Sequence, residues 1–481
     1  MGCSIVGKSK TKSGPKKEEP QGVRPSAFIV ENKNRFQEIY KIGKLIGSGV
    51  HAEVHTCYLK ENGVKRAVKI IRKDLVDSSS YLLRVEHEKS IVKLFDHPSI
   101  LRLYEFFEDA KKIYIVREFC EGSEMLRAFS RNETYTENQA AKIMYQLFSV
   151  VNYVHGMGIV HSDLKPENVF LNQLTIKVID FGLANRIGTK VSKREGLWPY
   201  SAPELILGVQ DFACDLWSCG VLLYILLCGK HPFHALGDKE MIENIKHIRI
   251  DMTGDTWNGI SDGSKNLICR LLCSQPDRLT AGQALKHPWV TLYTQDDCPD
   301  TPIVALALKN LREFRFTSLL ADAVHTFITM QRVSNNDLKI ITEVFKKIDK
   351  NGDGKLSREE LIQEYTSTLG ILQAENEVER IMKEVDSDKS GFIDYAEFLK
   401  AAMDTRKILS IENLRSAFRN FDKDSSGKIS VNELKKVLSE RHLSNNGSWN
   451  KILEEFDDNG DGEIDLNEFE KIVMNKLEDE G

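Results

Sequence analysis

Four twelve-residue stretches in the last third of the chain repeat one pattern of oxygen donors: DKNGDGKLSREE (349–360), DSDKSGFIDYAE (386–397), DKDSSGKISVNE (422–433) and DDNGDGEIDLNE (457–468). Their starts lie 37, 36 and 35 residues apart. A period of that length means that each unit is one supersecondary element, which buries its apolar face only against a neighbour. Apolar residues recur eight, five, four and one positions before each loop, as Ile341, Val344, Phe345 and Ile348 do before the first, so an amphipathic helix is predicted to enter every loop. Position 1 is always aspartate (Asp349, Asp386, Asp422, Asp457), and positions 3 and 5 are Asn351 and Asp353, Asp388 and Ser390, Asp424 and Ser426, and Asn459 and Asp461. Glycine stands at position 6 for the sharp turn, and position 7 (Lys355, Phe392, Lys428, Glu463) ligates through its backbone carbonyl. Glu360, Glu397, Glu433 and Glu468 close the loops at position 12 with a bidentate carboxylate. Six to eight oxygens from one short loop suit a hard cation of calcium's size. The apolar eighth positions, Leu356, Ile393, Ile429 and Ile464, are placed to pair adjacent loops as short strands.

This module, over about residues 334–477, resembles calmodulin and related EF-hand sensors. The resemblance implies four calcium sites in an all-α module, but it does not separate sensor from buffer. What precedes the module bears on that choice.

The full chain of 481 residues allows roughly three folding units. Its net charge of -5, from 66 basic and 71 acidic residues, gives no broad positive field, so nucleic acid is not an expected partner. Nine cysteines, without a C-x-x-C pair, point to reduced thiols in a cytoplasmic protein. The longest apolar run, Val221 to Cys228, is far short of the roughly 18 residues that cross a bilayer, and reads as a buried helix. Residues 1 to about 35 are too polar to offset their ordering entropy and read as a flexible arm. From Tyr40 to Phe119, alternating and β-branched segments around one helical stretch (Leu82–Phe95) predict a strand-rich lobe; residues 122–290 predict a larger, mainly helical lobe. TQDDCPDTP, 294–302, reads as a domain boundary.

Within these lobes stand, in order, G-S-G (Gly47, Gly49), A-V-K (Ala67, Lys69), H-S-D-L-K-P-E-N (161–168), D-F-G (180–182), A-P-E (202–204), D-L-W-S-C-G (215–220) and H-P-W (287–289). Glycines in a hairpin let backbone amides approach phosphate oxygens, and a lysine inside a strand needs a partner. Residues 40–290 resemble the protein-kinase family, which implies a two-lobed α+β fold. By that resemblance Asp163 accepts the proton of the substrate hydroxyl, Lys165 neutralises the moving phosphoryl, and Asn168 and Asp180 hold magnesium. Lys69 holds the nucleotide phosphates and pairs with Glu88, while Val54, Ala67, Glu118, Glu124 and Phe170 belong to the nucleotide site. Glu124 also aligns with the residue that reads a basic side chain three positions before the target serine or threonine. Glu204 is expected to pair with Arg278.

Four positions depart from the family pattern: Ala52 replaces a third glycine, Ser162 replaces arginine, Leu197 stands where a threonine is usual, and Arg117 occupies the back wall of the adenine site. A buried arginine needs a carboxylate, and Glu88 is the candidate, in competition with Lys69. Loss of the cation at Ser162 removes the anchor for a phosphate-driven switch.

Between Val304 and Ile328 apolar residues recur at helical spacing with Lys309, Arg312 and Arg315 interspersed, which predicts a basic amphipathic helix suited to an opened EF-hand groove. The order of kinase, junction and four EF-hands resembles the calcium-dependent protein kinases of plants and protists. That resemblance implies a serine/threonine kinase using magnesium ATP, monomeric, and inhibited by its junction until calcium binds. A calcium-sensing pseudokinase or scaffold is the alternative. RFTS (315–318) offers an Arg-x-x-Ser match at Ser318. At the start, Gly2 and Cys3 precede a lysine cluster and suggest myristoyl and palmitoyl anchors at the plasma membrane, although Val6 departs from the simple acylation pattern.

Overall fold

The computed structural model describes residues 29–32, 34–49, 51–75, 79–130, 134–189, 199–294, 301–315, 319–333, 335–404, 408–424, 426–438 and 456–478. Gly2, Cys3, Val6, Leu197 and Ser318 lie outside them.

The amino-terminal lobe is a six-stranded sheet of β1 (Val30–Asn32), β2 (Tyr40–Ser48), β3 (Ala52–Leu59), β4 (Lys65–Arg72), β5 (Leu103–Glu108) and β6 (Lys112–Arg117), in the order β1-β5-β6-β4-β3-β2. Period-2 patterning explains it: β4 and β6 turn Val68, Ile70, Tyr114 and Val116 to one core with Phe36 and Tyr40, and Ile71, Ile113 and Ile115 to another. Helix α1 (Ser79–Val92) packs against the second face through Val85. The ordered lobe begins earlier than the sequence suggests. Residues 30–32 pair in parallel with β5, and Glu31 bridges to Lys89 at 2.8 Å and Lys93 at 3.0 Å, so this part of the expected flexible arm is a strand fastened to α1.

The helical lobe is built on α2 (Glu137–Gly156), started by a capping box of Thr136 and Gln139, and α3 (Ala213–Cys228), buried all round as its unbroken apolar composition requires. Short strands β7 (Ser123–Glu124), β8 (Ile159–Val160), β9 (Val169–Asn172), β10 (Thr175–Val178) and β11 (Asn185–Arg186) line the cleft side, pairing β10-β9-β7 and β11-β8. Among the described residues no helix is long and apolar enough to cross a membrane. Arg278 donates to both carboxylate oxygens of Glu204, as expected.

The junction is two helices, α4 (Thr301–Glu313) and α5 (Leu319–Arg332), rather than the single helix expected over 304–328. Each is enclosed by one EF-hand pair. Val304, Ala307, Leu308 and Leu311 of α4 share a core with Phe345, Ile348, Val378 and Phe398; Leu320, Val324, Phe327 and Ile328 of α5 share another with Phe418, Phe421, Phe456 and Phe469. The first pair uses α6 (Asn335–Ile348), α7 (Arg358–Leu369), α8 (Ile371–Val385) and α9 (Tyr395–Ala402); the second includes α10 (Ile411–Phe421), α11 (Val431–Leu438) and α12 (Leu466–Glu478). Loops pair as predicted from their eighth positions: Leu356 faces Ile393 between β12 (Lys355–Leu356) and β13 (Ile393–Asp394), and Ile429 faces Ile464 between β14 (Lys428–Ile429) and β15 (Ile464–Asp465).

Candidate functional site

The β2–β3 hairpin forms the roof of the cleft, with Gly47 opposite Val54 and the Gly49 amide donating to the Ala52 carbonyl at 2.8 Å. Val54 in turn faces Lys69, and Ala67 faces Arg117 across β4 and β6. Beneath the roof, the loop after β8 gathers its reacting groups on Asp163. Lys165 Nζ lies 2.8 Å from Asp163 Oδ2, and the Asn168 amide donates to the same oxygen at 3.0 Å and to the Asp163 carbonyl at 2.8 Å. Asp163 is thereby held as an acceptor beside a cation and a fixed amide.

The loop is fixed from below by the aspartate that opens the D-L-W-S-C-G motif. Asp215 is fully buried and accepts the His161 amide at 2.8 Å, the Ser162 amide at 2.7 Å and His155 Nε2 at 2.8 Å. The available signal was an aspartate inside an otherwise apolar helix, where a buried charge requires several donors. Burial pushes its carboxyl up, yet His155, His161 and the loop amides outweigh that and hold it below the ordinary value. Ser162 itself takes a left-handed backbone, φ 66°, and its hydroxyl accepts from Gln210, so a neutral contact stands where the family pattern has arginine.

Asp180 accepts the Gly182 amide at 2.8 Å. Burial raises its carboxyl, but Lys69, that amide and Arg117 more than offset it, leaving Asp180 below the usual carboxylate range and suited to a metal. The next residue, Phe181, is enclosed by Phe95 and His161 with ring centroids 4.8 and 4.7 Å away, which locks the segment inward. Glu88 is half-buried, and loss of water around its carboxyl, with the charge of Asp180, raises it despite the opposing charges of Lys69 and Arg117. Among the described residues no ion pair within 4 Å joins Lys69 to Glu88, so the expected pair is felt across a gap rather than closed. Arg117 is 8% exposed; its Nη1 lies 3.5 Å from the Ile179 carbonyl, and its Nε and Nη2 find no acceptor.

Glu118 and Glu124, both expected at the nucleotide site, are held by neighbouring strands and side chains. Glu118 turns its carboxylate to Lys177, 2.8 Å away, and to the Arg102 amide, so the hinge has its main chain rather than this side chain to offer a nucleotide. Glu124 lies opposite Phe170 in the β7–β9 pair, both half-buried.

The calcium loops are pre-shaped by hydrogen bonds to their own ligand oxygens. In the first, Asp349 Oδ2 accepts the Gly354 amide at 2.9 Å, Asp353 Oδ1 accepts the Lys355 amide at 3.0 Å, and Glu360 Oε1 accepts the Asn351 amide at 3.1 Å. Glu360 also completes a capping box with Ser357, so the twelfth ligand starts the exit helix. Carboxylate oxygens of Asp386, Asp388 and Glu397 lie within 4.8 Å of one another, as do those of Asp422, Asp424 and Glu433. Burial, with the charges of Asp353 and Glu360, drives the Asp349 carboxyl well above the ordinary range, the expected result of crowding anions where a cation belongs. In the fourth loop Asp461 is bound by Lys428 of the third at 2.5 Å.

The EF-hand module rests on the kinase lobes at Glu61, Arg66, Asp96, Tyr145 and Gln146. Arg332 meets Glu61 at 2.7 Å, Arg66 donates to the Gln331 carbonyl at 2.6 Å, Asp96 accepts the Ala396 amide at 2.6 Å, and Lys346 donates to Gln146 at 3.1 Å.

A family model of the protein kinase domain matches residues 40–290, and one of the EF-hand domain pair matches 339–403 and 411–474. Calcium-dependent protein kinase 4 of Plasmodium berghei is 36% identical over 453 residues, which cover 90% of this chain and 86% of that protein; the Plasmodium falciparum counterpart has the same figures. The chain belongs to the calcium-dependent protein kinase family. Calcium-dependent protein kinase 3 of Plasmodium yoelii yoelii is 35% identical over 419 residues, 85% of this chain and 77% of the relative. This kinase therefore acts on ATP and protein substrates with magnesium, and its EF-hands bind calcium.

Proposed function

We propose that this calcium-dependent kinase is specific for serine and threonine, and that its junction helices inhibit it until calcium fills all four loops. One observation carries the reading: Asp163, Lys165 and Asn168 are assembled, while α4 and α5 are enclosed by EF-hand pairs. In the transfer, Asp163 accepts the proton of the attacking hydroxyl, and Lys165 offsets the negative charge moving with the phosphoryl. Lys69 holds the α- and β-phosphates, and Asn168 and Asp180 hold magnesium. When bound there, magnesium would supply charge neutralisation to the phosphate being transferred. Differential affinity drives the switch: calcium-opened helix pairs take up the apolar faces of α4 and α5, which otherwise are free to inhibit the kinase.

The same reading gives Glu124 a basic side chain three residues before the target, makes Gly2 and Cys3 lipid sites that hold a cytoplasmic monomer at the plasma membrane, and places four calcium ions in the module. Phosphotransfer to an Arg-x-x-Ser peptide tests it. Calcium should raise transfer at least tenfold over chelator, and Asp163→Asn should abolish it. Transfer unaffected by calcium or by that substitution would defeat the reading. A scaffold with little transfer is the second reading, favoured by the open Lys69–Glu88 gap and the buried Arg117; nucleotide binding without transfer would establish it.

A further inference from the structure

Among the described residues of the four loops, the first alone is walled at its glycines by another part of the chain. Gly354 has φ 77°, and a Cβ built there would stand 2.5 Å from His97 Cδ2 and 3.0 Å from Tyr153 Cδ2. One built on Gly352, φ 65°, would stand 3.1 Å from Leu285 Cδ2 and 3.3 Å from the Tyr145 hydroxyl. At the corresponding Gly391, Gly427, Gly460 and Gly462 such a carbon meets nothing within 4 Å. Both glycines of loop 1 are buried, while those four are exposed. Side-chain-free backbone is required here twice over, by the positive φ and by the kinase surface.

The contact is also polar and directional. Tyr145, on α2, donates its hydroxyl to the carbonyl of Asp349, the first residue of the loop, at 3.1 Å. One turn earlier, Lys346 of the entering helix donates to Gln146, the next residue of α2. On the paired loop, Asp96 accepts the Ala396 amide and so holds the start of α9 against the same face.

Charge then ties this contact to the state of the loop. Loop 1 carries Asp349, Asp353 and Glu360, with Asp349 only 4% and Glu360 8% exposed. The kinase side chains against its glycines are His97, Tyr153, Leu285 and Tyr145, and none supplies a cation: His97 accepts the Ser99 amide through Nδ1 and lies 3.0 Å from Ser149 Oγ through Nε2. Three carboxylates pressed against a neutral wall are costly unless a cation sits among them.

We propose that loop 1 is a composite calcium site whose outer wall is the kinase domain, so that calcium binding there and docking of the module strengthen each other, with Tyr145 as the coupling residue. Reciprocity follows from linkage: whatever factor docking adds to calcium affinity, calcium adds to docking. The inference rests on loop 1 holding calcium, part of the function proposed above.

Calcium titration calorimetry on the full chain separates the two. Asp349→Ala identifies the binding step that belongs to loop 1. Tyr145→Phe, which removes one hydrogen bond and keeps the ring, should weaken that step about fivefold and leave the others unmoved. Tyr145→Ala should weaken it further, with both variants melting as the wild type does in excess chelator. Hydrogen exchange gives the reverse arm: calcium should protect residues 137–156 in the wild type and not in Asp349→Ala. Unchanged loop-1 affinity in both Tyr145 variants overturns the coupling while leaving the calcium site standing. An isotherm that Asp349→Ala does not alter overturns the loop-1 site and the coupling together.

Discussion

Arg117 is the residue whose chemistry fits its surroundings least. Its charge sits in the back wall at 8% exposure with two nitrogens unpartnered, near enough to lower both Glu88 and Asp180. Among the described residues no ion pair joins Arg117 to Glu88, so the competition with Lys69 expected from the sequence would act through its field alone. Arg117→Met should let Glu88 close on Lys69, lower the KM for ATP severalfold, and raise stability by about 1 kcal/mol, since an incompletely paired buried charge gives way to apolar packing. Unchanged KM and basal transfer in steady-state kinetics would remove the competition argument. Motif order made Asp163, Lys165, Asn168 and Asp180 legible because phosphoryl transfer demands those charges at those spacings. It could not show that Glu118 turns to Lys177, nor that Asp215 gathers two loop amides and a histidine, because those partners lie 59 and 53–60 residues away and meet only through the fold.

At the scale of elements, the strand β1 was hidden by its brevity: three residues that pair with β5 carry too little pattern to separate from a polar arm. What secures it is charge. Lys89 and Lys93 hold the Glu31 carboxyl down to about 2, and because that value lies below the unfolded one, the stabilisation is present above pH ~4.5 and is lost as the pH falls toward 2. Glu31 is 60% exposed, so solvent screens the pairs and Glu31→Gln should cost only about 0.5 kcal/mol at neutral pH. The melting difference from wild type should vanish in about 1 M salt and shrink below pH ~4.5. Persistence at high salt would point to packing instead. The junction was legible as an amphipathic segment, but its division into α4 and α5 was not, since apolar spacing continues across both. Their sequestration has a polar lock: Lys400 on α9 pairs with Asp322 on α5, both 3% exposed at the side chain. Lys400→Met alone leaves a buried carboxylate and should destabilise the module by roughly 3–5 kcal/mol, whereas Lys400→Met with Asp322→Leu should recover most of that. A double-mutant cycle in urea measures it; equal losses in the single and double variants would mean that the pair is not the lock.

At the scale of the whole molecule, the docked module spans both kinase lobes. Glu61 and Arg66, beside the turn between β3 and β4, tie it to the sheet lobe, while Tyr145 and Gln146 tie it to the helical lobe. A body fastened to both lobes limits their rocking, and the distance between Lys69 on one and Asp163 on the other depends on that rocking. The sheet-side attachment is the more electrostatic of the two, because Glu61 meets Arg332 at 2.7 Å and Arg419 at 3.2 Å. Glu61→Arg turns both attractions into repulsions without touching a calcium ligand, the cleft or either junction core. Docking then has to be driven by the helical-lobe contacts and by calcium alone, and linkage requires a higher calcium concentration to reach the same docked population. The half-maximal calcium for peptide phosphorylation should rise several-fold in Glu61→Arg, with the rate at saturating calcium largely restored. Small-angle scattering should show the variant more extended at intermediate calcium and as compact as the wild type at saturation. A calcium midpoint equal to wild type, with equal compactness throughout, would show that the sheet-lobe attachment contributes nothing to activation and that the helical lobe alone receives the module.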